Sequence, residues 1–176
     1  MQMDVGMDTG AMLAKTAVPV TDEMTQGQLH DILKERGAQL LLDTIDQLAA
    51  GTAKAVPQPE QDATYASLIT RDMEKLDWSK SSRELHNQIR AFDPWPGSFT
   101  LLPSGKRLKV WASRIRSEQG QLGAPGTVLE TNPEGILVAC GEGSLEITQC
   151  QPEGKKRMLA DQFVNGKSLE PGEILA

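Results

Sequence analysis

At 176 residues, with 24% charged and 39% hydrophobic side chains, the chain can bury one ordinary core and has the composition of a globular protein. A formal net charge of -6 excludes a protein that coats nucleic acid indiscriminately. The charge is uneven, however: residues 1–62 hold 4 Lys/Arg against 10 Asp/Glu, and residues 63–176 hold 14 against 14, so a local basic face is permitted in the later part.

Residues 1–5 alternate apolar and polar side chains, and Gly6-Met7-Asp8-Thr9-Gly10 breaks the alternation with glycines on both sides of a carboxylate. This predicts a strand entering a loop, and residues 12–20 predict a second strand that stops near Pro19. Two strands make no stable sheet face alone, so the segment calls for neighbours, and an unpaired edge there predicts association with another copy of the chain. Thr25 with Gln28 marks a helix start, and Leu29, Ile32, Leu33, Leu40, Leu41, Ile45 and Leu48 recur at three and four residues until Gly51. The expected element is one long amphipathic helix packed on a sheet. From Gly51 to Asp62, Pro57 and Pro59 favour an extended spacer, which divides the chain into residues 1–50, a linker 51–62 and a second domain 63–176.

Ser81 or Ser82 can cap the next helix, with Glu84 placed for a capping box from Ser81, and Leu85, Ile89 and Phe92 fall on one face. Pro94 and Pro96 end that helix and force Asp93-Pro94-Trp95-Pro96-Gly97 into a rigid extended corner. Trp95, carried on it, is read as a hydrophobic plug between helix and sheet, the alternative being a surface stacking residue. Short strands are predicted at 98–102, 108–113, 126–130, 135–139 and 144–149, with turns at Ser104-Gly105, Ala124-Pro125, Asn132-Pro133 and Gly141-Glu142-Gly143. Five such strands suggest a small barrel. Leu159, Phe163 and Val164 predict a short helical turn, and the tail to Ala176 a loop.

Only the Asp8 loop looks built for proton transfer, since glycines on either side let the carboxylate face a cleft. The same Asp-Thr-Gly is also an ordinary turn. His30 and His86 lie in predicted helices with no ligand set at metal spacing, so no metal is expected. Cys140 and Cys150 sit in apolar runs and are read as reduced core residues. The start, with Asp4 and Asp8, lacks a signal-peptide pattern, and no run approaches about 18 apolar residues, which points to a cytoplasmic protein without membrane contact. Lys106, Arg107, Lys109, Arg114 and Arg116 form one basic cluster, and Lys155, Lys156 and Arg157 another. They are either solvated strand edges or, on one compact barrel, cations that grip phosphates.

Met3-Asp4-Val5-Gly6-Met7-Asp8-Thr9-Gly10, Ile69-Thr70 through Leu76-Asp77-Trp78-Ser79, Ile89-Arg90-Ala91-Phe92-Asp93-Pro94-Trp95-Pro96-Gly97, Pro125-Gly126-Thr127-Val128-Leu129, Ala139-Cys140-Gly141-Glu142-Gly143 and Gly154-Lys155-Lys156-Arg157-Met158 occur in this order. Across nearly its whole length the chain thereby resembles the methionyl-tRNA formyltransferase family. The resemblance implies an α+β fold: two strands and a helix from the end of a Rossmann-like formyltransferase domain, then a complete OB-like β-barrel with a packed helix. It implies transfer of a formyl group from 10-formyltetrahydrofolate to methionyl-initiator tRNA, with an asparagine, a histidine and an aspartate in catalysis. Only the aspartate maps, to Asp8, where it would orient the histidine and assist proton transfer. The expectation is therefore a fragment without transferase activity and without bound folate, which retains tRNA contact, but not DNA contact, through Lys106, Arg107, Lys109, Lys155, Lys156 and Arg157. Relatives that formylate nucleotide sugars share the two-domain plan and remain the competing reading, beside a barrel that is purely structural.

Overall fold

The computed structural model describes residues 1–166 and 169–176. They fall into two compact units, Met1–Thr21 with Gln28–Leu68, and Asp22–Gly27 with Ile69–Ala176.

In the first unit the dominant element is helix α1, Gln26–Ala49, whose first two residues belong to the other unit. Its end is set by Gly51 at φ 69°, with the Thr52 N–H on the Gln47 carbonyl (2.9 Å) and the Gly51 N–H on the Leu48 carbonyl (3.1 Å), the paired bonds of a left-handed helix cap. The two strands expected at 1–5 and 12–20 do not form. Residues 1–25 contain a single bridge, Met12 to Val56. A strand persists only where a neighbour takes its backbone donors and acceptors, and this unit offers one residue of the spacer, not a sheet. Self-association through unpaired amino-terminal strands thus loses its basis, because residues 1–20 form no strand. The expected packing of α1 on a sheet fails for the same reason: Leu33, Leu41, Ile45 and Leu48 stay exposed, and Thr44 is the buried residue of the helix.

The second unit carries the core. Helix α2, Ser82–Ala91, begins with the capping box expected from Ser81 and Glu84 and buries Leu85, His86 and Ile89. The strands are β1 Ser98–Leu101, β2 Arg107–Ser117, β3 Val128–Asn132, β4 Gly135–Ala139, β5 Ser144–Pro152 and β6 Met158–Leu159, followed by helix α3, Ala160–Val164. They pair antiparallel in the order β1-β2-β5-β4-β3, with β6 on β5. Leu108, Val110, Ile136, Val138, Leu145, Ile147 and Cys150 supply the sheet's side of the core, and Leu85, Ile89, Ala160 and Phe163 the helices'.

The outer strands β1 and β3 do not pair with each other, so the strands alone leave the sheet open. The described residues of the tail form the loop expected, and this loop bridges the two edges. Leu101 and Ala176 exchange both backbone bonds (2.7 and 3.0 Å), while Val128 donates to Glu173 and Leu175 to Gly126 (2.8 and 2.9 Å). Leu175 is buried where the tail crosses.

Candidate nucleic-acid interface

The two basic clusters meet because two turns lie at one end of the sheet. The β1–β2 turn carries Lys106, with Arg107 opening β2 beside it, and the β5–β6 turn carries Lys155 and Lys156; Leu108 pairs with Pro152, and the Glu153 N–H donates to the Arg107 carbonyl at 3.2 Å. Lys106, Lys155 and Lys156 are exposed, and among the described residues their ammonium groups have no protein partner. Three ammonium groups without an ion-pair partner among the described residues form a local anion-attracting end on an acidic chain. Arg107 is exposed beside them, with its guanidinium 4.6 Å from the Phe99 ring centre.

Lys109 and Arg157 serve a different purpose. Both lie over the Trp111 ring, at 5.1 and 5.2 Å from its centre. Trp111 occupies a bulge of β2, where Val110 faces Cys150 but Ala112 already faces Gln149, so the extra residue is aimed out of the ladder. Its indole N–H donates to Gln151 Oε1 at 3.0 Å. Arg157 also donates to Gln149 Oε1 (2.8 Å) and pairs with Asp93 Oδ1 (3.0 Å), while the Lys109 ammonium donates to the Pro96 carbonyl (3.2 Å). Both prolyl bonds of the 93–96 corner are cis, and Gly97 follows at φ 88°. A Cβ at Gly97 would sit 2.8 Å from the Trp111 ring, so glycine alone lets corner and indole close on each other. Trp95 is not the plug expected of it. It stands 70% exposed.

Arg114 and Arg116, further along β2, are neutralised. Arg116 Nη1 reaches Glu134 at 2.8 Å and the buried Glu146 at 3.4 Å, and Arg114 lies 3.7 and 3.9 Å from the same carboxylates. The hydrogen bond that Arg116 donates to Glu134, together with the charge of Glu146, holds the pKa of the Arg116 guanidinium above its ordinary value. These two arginines, though exposed, pair with the buried Glu146 and with Glu134.

The remaining candidates sort quickly. His86 is buried, with Nε2 3.2 Å from the Asp22 carbonyl and Nδ1 3.0 Å from Ser113 Oγ. A carbonyl only accepts, so Nε2 donates and, in the neutral ring, Nδ1 takes the hydroxyl proton; the imidazole ties β2 to the segment before α1. Burial pushes both cysteine thiols up to about 12, and both are free. In the first unit, Asp8 is exposed at φ 56°, a left-handed conformation that aspartate tolerates better than most residues. The Gln58 amide holds the carbonyls of Asp8 and Gly10 (2.7 and 2.8 Å), and among the described residues the Asp8 carboxylate has no hydrogen-bond partner. The loop is thus clamped through its backbone and presents a free carboxylate. Sequence reasoning missed Trp111, Asp93, Gln149 and Gln151; the alternation Lys109, Val110, Trp111 already put Trp111 and Lys109 on one face.

Residues 68–168 match the family model described as formyl transferase, C-terminal domain. A methionyl-tRNA formyltransferase of Acetivibrio thermocellus is 38% identical over 99% of this chain and 56% of its own length, and one of Paraburkholderia phytofirmans 42% identical over 98% and 53%. The chain therefore spans about half the length of the curated relatives it matches. Among solved structures, HypX from Aquifex aeolicus in complex with tetrahydrofolic acid superposes with a TM-score of 0.65 at 20% identity, covering 95% of this chain and 29% of that one, a likeness of fold.

Proposed function

Since this chain belongs to the formyltransferase family and is a homologue of methionyl-tRNA formyltransferases, we propose that its second unit grips the tRNA in formyl transfer to methionyl-initiator tRNA, in the cytoplasm. The observation that carries the reading is the cluster of unpartnered Lys106, Lys155 and Lys156 with Arg107 at one end of the sheet. A folded RNA presents backbone phosphates over a broad surface, and lysines on adjoining turns meet them without reading sequence. Residues 63–176 then act as an OB-like RNA-binding domain and residues 1–50 as the end of a catalytic domain, joined by 51–62.

The formyl donor in this reading is 10-formyltetrahydrofolate, which supplies the activated one-carbon group. The Asp8 loop is exposed from Met1 to Thr9. Asp8 is the one catalytic counterpart among these residues, with its clamped loop holding a carboxylate ready to orient a histidine. These residues are accordingly expected to bind tRNA.

The test is affinity for initiator tRNA across a salt series, with Lys106, Lys155 and Lys156 changed together to alanine. Removing three phosphate contacts flattens the slope of log K against log salt by about 2–3. An unchanged slope refutes the reading, and no binding at low salt returns the nucleotide-sugar acceptor to first place.

A further inference from the structure

Of the three tryptophans, two are engaged: Trp78 is buried with its N–H on Thr100 Oγ1 at 2.9 Å, and Trp111 has two cations over its ring and its N–H on Gln151 Oε1. Trp95 is left in solvent at 70% exposure. Its mount is rigid. Prolines flank it, Lys109 holds the Pro96 carbonyl, Arg157 pins Asp93, and the Gly27 N–H donates to the Asp93 carbonyl at 3.0 Å. A large apolar face kept exposed on a braced corner is poised for a flat partner.

The ring lines a cleft of about 460 Å³ together with Ile69, Arg71, Glu74, Pro96 and Lys109. That is the size of a small-ligand site, which admits one nucleotide and not a helix. Its lining combines an aromatic face, two cations and a carboxylate. An apolar side chain would leave those three charges unanswered, whereas a nucleotide answers each of them: base to indole, phosphate to cations, amino edge to carboxylate.

We propose that Trp95 stacks on an unpaired base of the bound RNA, with Lys109 and Arg71 turned to its phosphates and Glu74 accepting from an amino group of the base edge. The inference rests on the RNA-binding reading above. Lys109 retains two of its three donors for this role, since only one is used by Pro96. Stacking on an aromatic side chain tolerates any base, so Trp95 adds affinity for an exposed nucleotide without selecting its sequence.

The test compares Trp95→Leu, which keeps apolar bulk but no aromatic face, with Trp95→Phe, which keeps the face. Both full chains are measured against initiator tRNA and against a fully paired RNA duplex of equal length, in the same salt series as the triple lysine variant. Expected is a roughly 5- to 150-fold loss of tRNA affinity for Trp95→Leu, an unchanged salt slope, unchanged duplex binding and substantial recovery in Trp95→Phe. Equal losses on tRNA and duplex overturn the stacking. So does unaltered tRNA affinity in Trp95→Leu, while a flattened slope in the lysine variant keeps the RNA reading intact. If the unaltered chain binds no tRNA, both fall together.

Discussion

Replacing Arg157 by alanine separates two roles that a run of three basic residues conceals. Lys155 and Lys156 point to solvent, but Arg157 is bonded to Asp93 at 3.0 Å and Gln149 at 2.8 Å and lies 5.2 Å from the Trp111 ring centre. A charge-assisted bond of this kind contributes about 1.5–3 kcal/mol when desolvated, and the 41% exposure of the arginine reduces that to about 1 kcal/mol. The ring contact contributes roughly 0.5–1 kcal/mol, and leaving Asp93, only 14% exposed, without its partner costs about 1 kcal/mol more. The loss is therefore about 2–3 kcal/mol, or a melting temperature lower by about 4–12 °C at roughly 2–4 °C per kcal/mol for a chain of this size. Far-ultraviolet circular dichroism follows the melt, and the near-ultraviolet band of Trp111 reports its loosened ring. The salt slope for tRNA, measured well below the transition, should fall by clearly less than one phosphate contact. A melting temperature within about 1 °C of the unaltered chain, with a slope reduced by a full contact of about 0.7–0.9, would refute the assignment of Arg157 as a pin.

Gly97→Ala meets the Trp111 ring and a backbone at φ 88°, and should destabilise the second unit by about 2 kcal/mol or more, read as a lowered urea midpoint. A midpoint unchanged by that methyl group would mean that corner and indole part freely. Acid should weaken the fold for a stated reason. The Ser79 hydroxyl holds Asp77, the Ser81 hydroxyl holds Glu84 and the Arg83 guanidinium holds Glu118 below their usual carboxylate range. Folded values below unfolded ones give stability that is present above about pH 4.5 and lost as pH falls through the folded values. Melting temperature should thus be level from pH 7 to about pH 5 and drop below it, with a shallower drop in Ser81→Ala; parallel acid limbs in the two proteins would count against Glu84 as a contributor.

How much was legible depends on the range of the signal. The capping box at Ser81 and Glu84, the β4 strand at Gly135–Ala139 and the hairpin at Gly141-Glu142-Gly143 rest on neighbours within a few residues, so periodicity and turn chemistry expose them. The same periodicity misled at residues 1–20, where alternation is present but no partner strand arrives to take the backbone bonds. Trp95 was misread, and the tail's bridging role missed, for a related reason. Whether an indole on a proline corner is covered, or a tail seals two sheet edges, depends on elements far away in the chain.

By itself, then, the sequence determined the α+β content, the place of α2 and the main strands, the buried cysteines and the basic character of the two turns, all of them local in origin. Only the tertiary structure decided which cations remain free. Arg157 meets Asp93 from 64 residues away and Arg116 meets Glu146 from 30, while Lys106, Lys155 and Lys156 meet no protein group among the described residues. A charge written in sequence becomes available to a ligand only after folding has chosen which opposite charges come within a few ångströms of it.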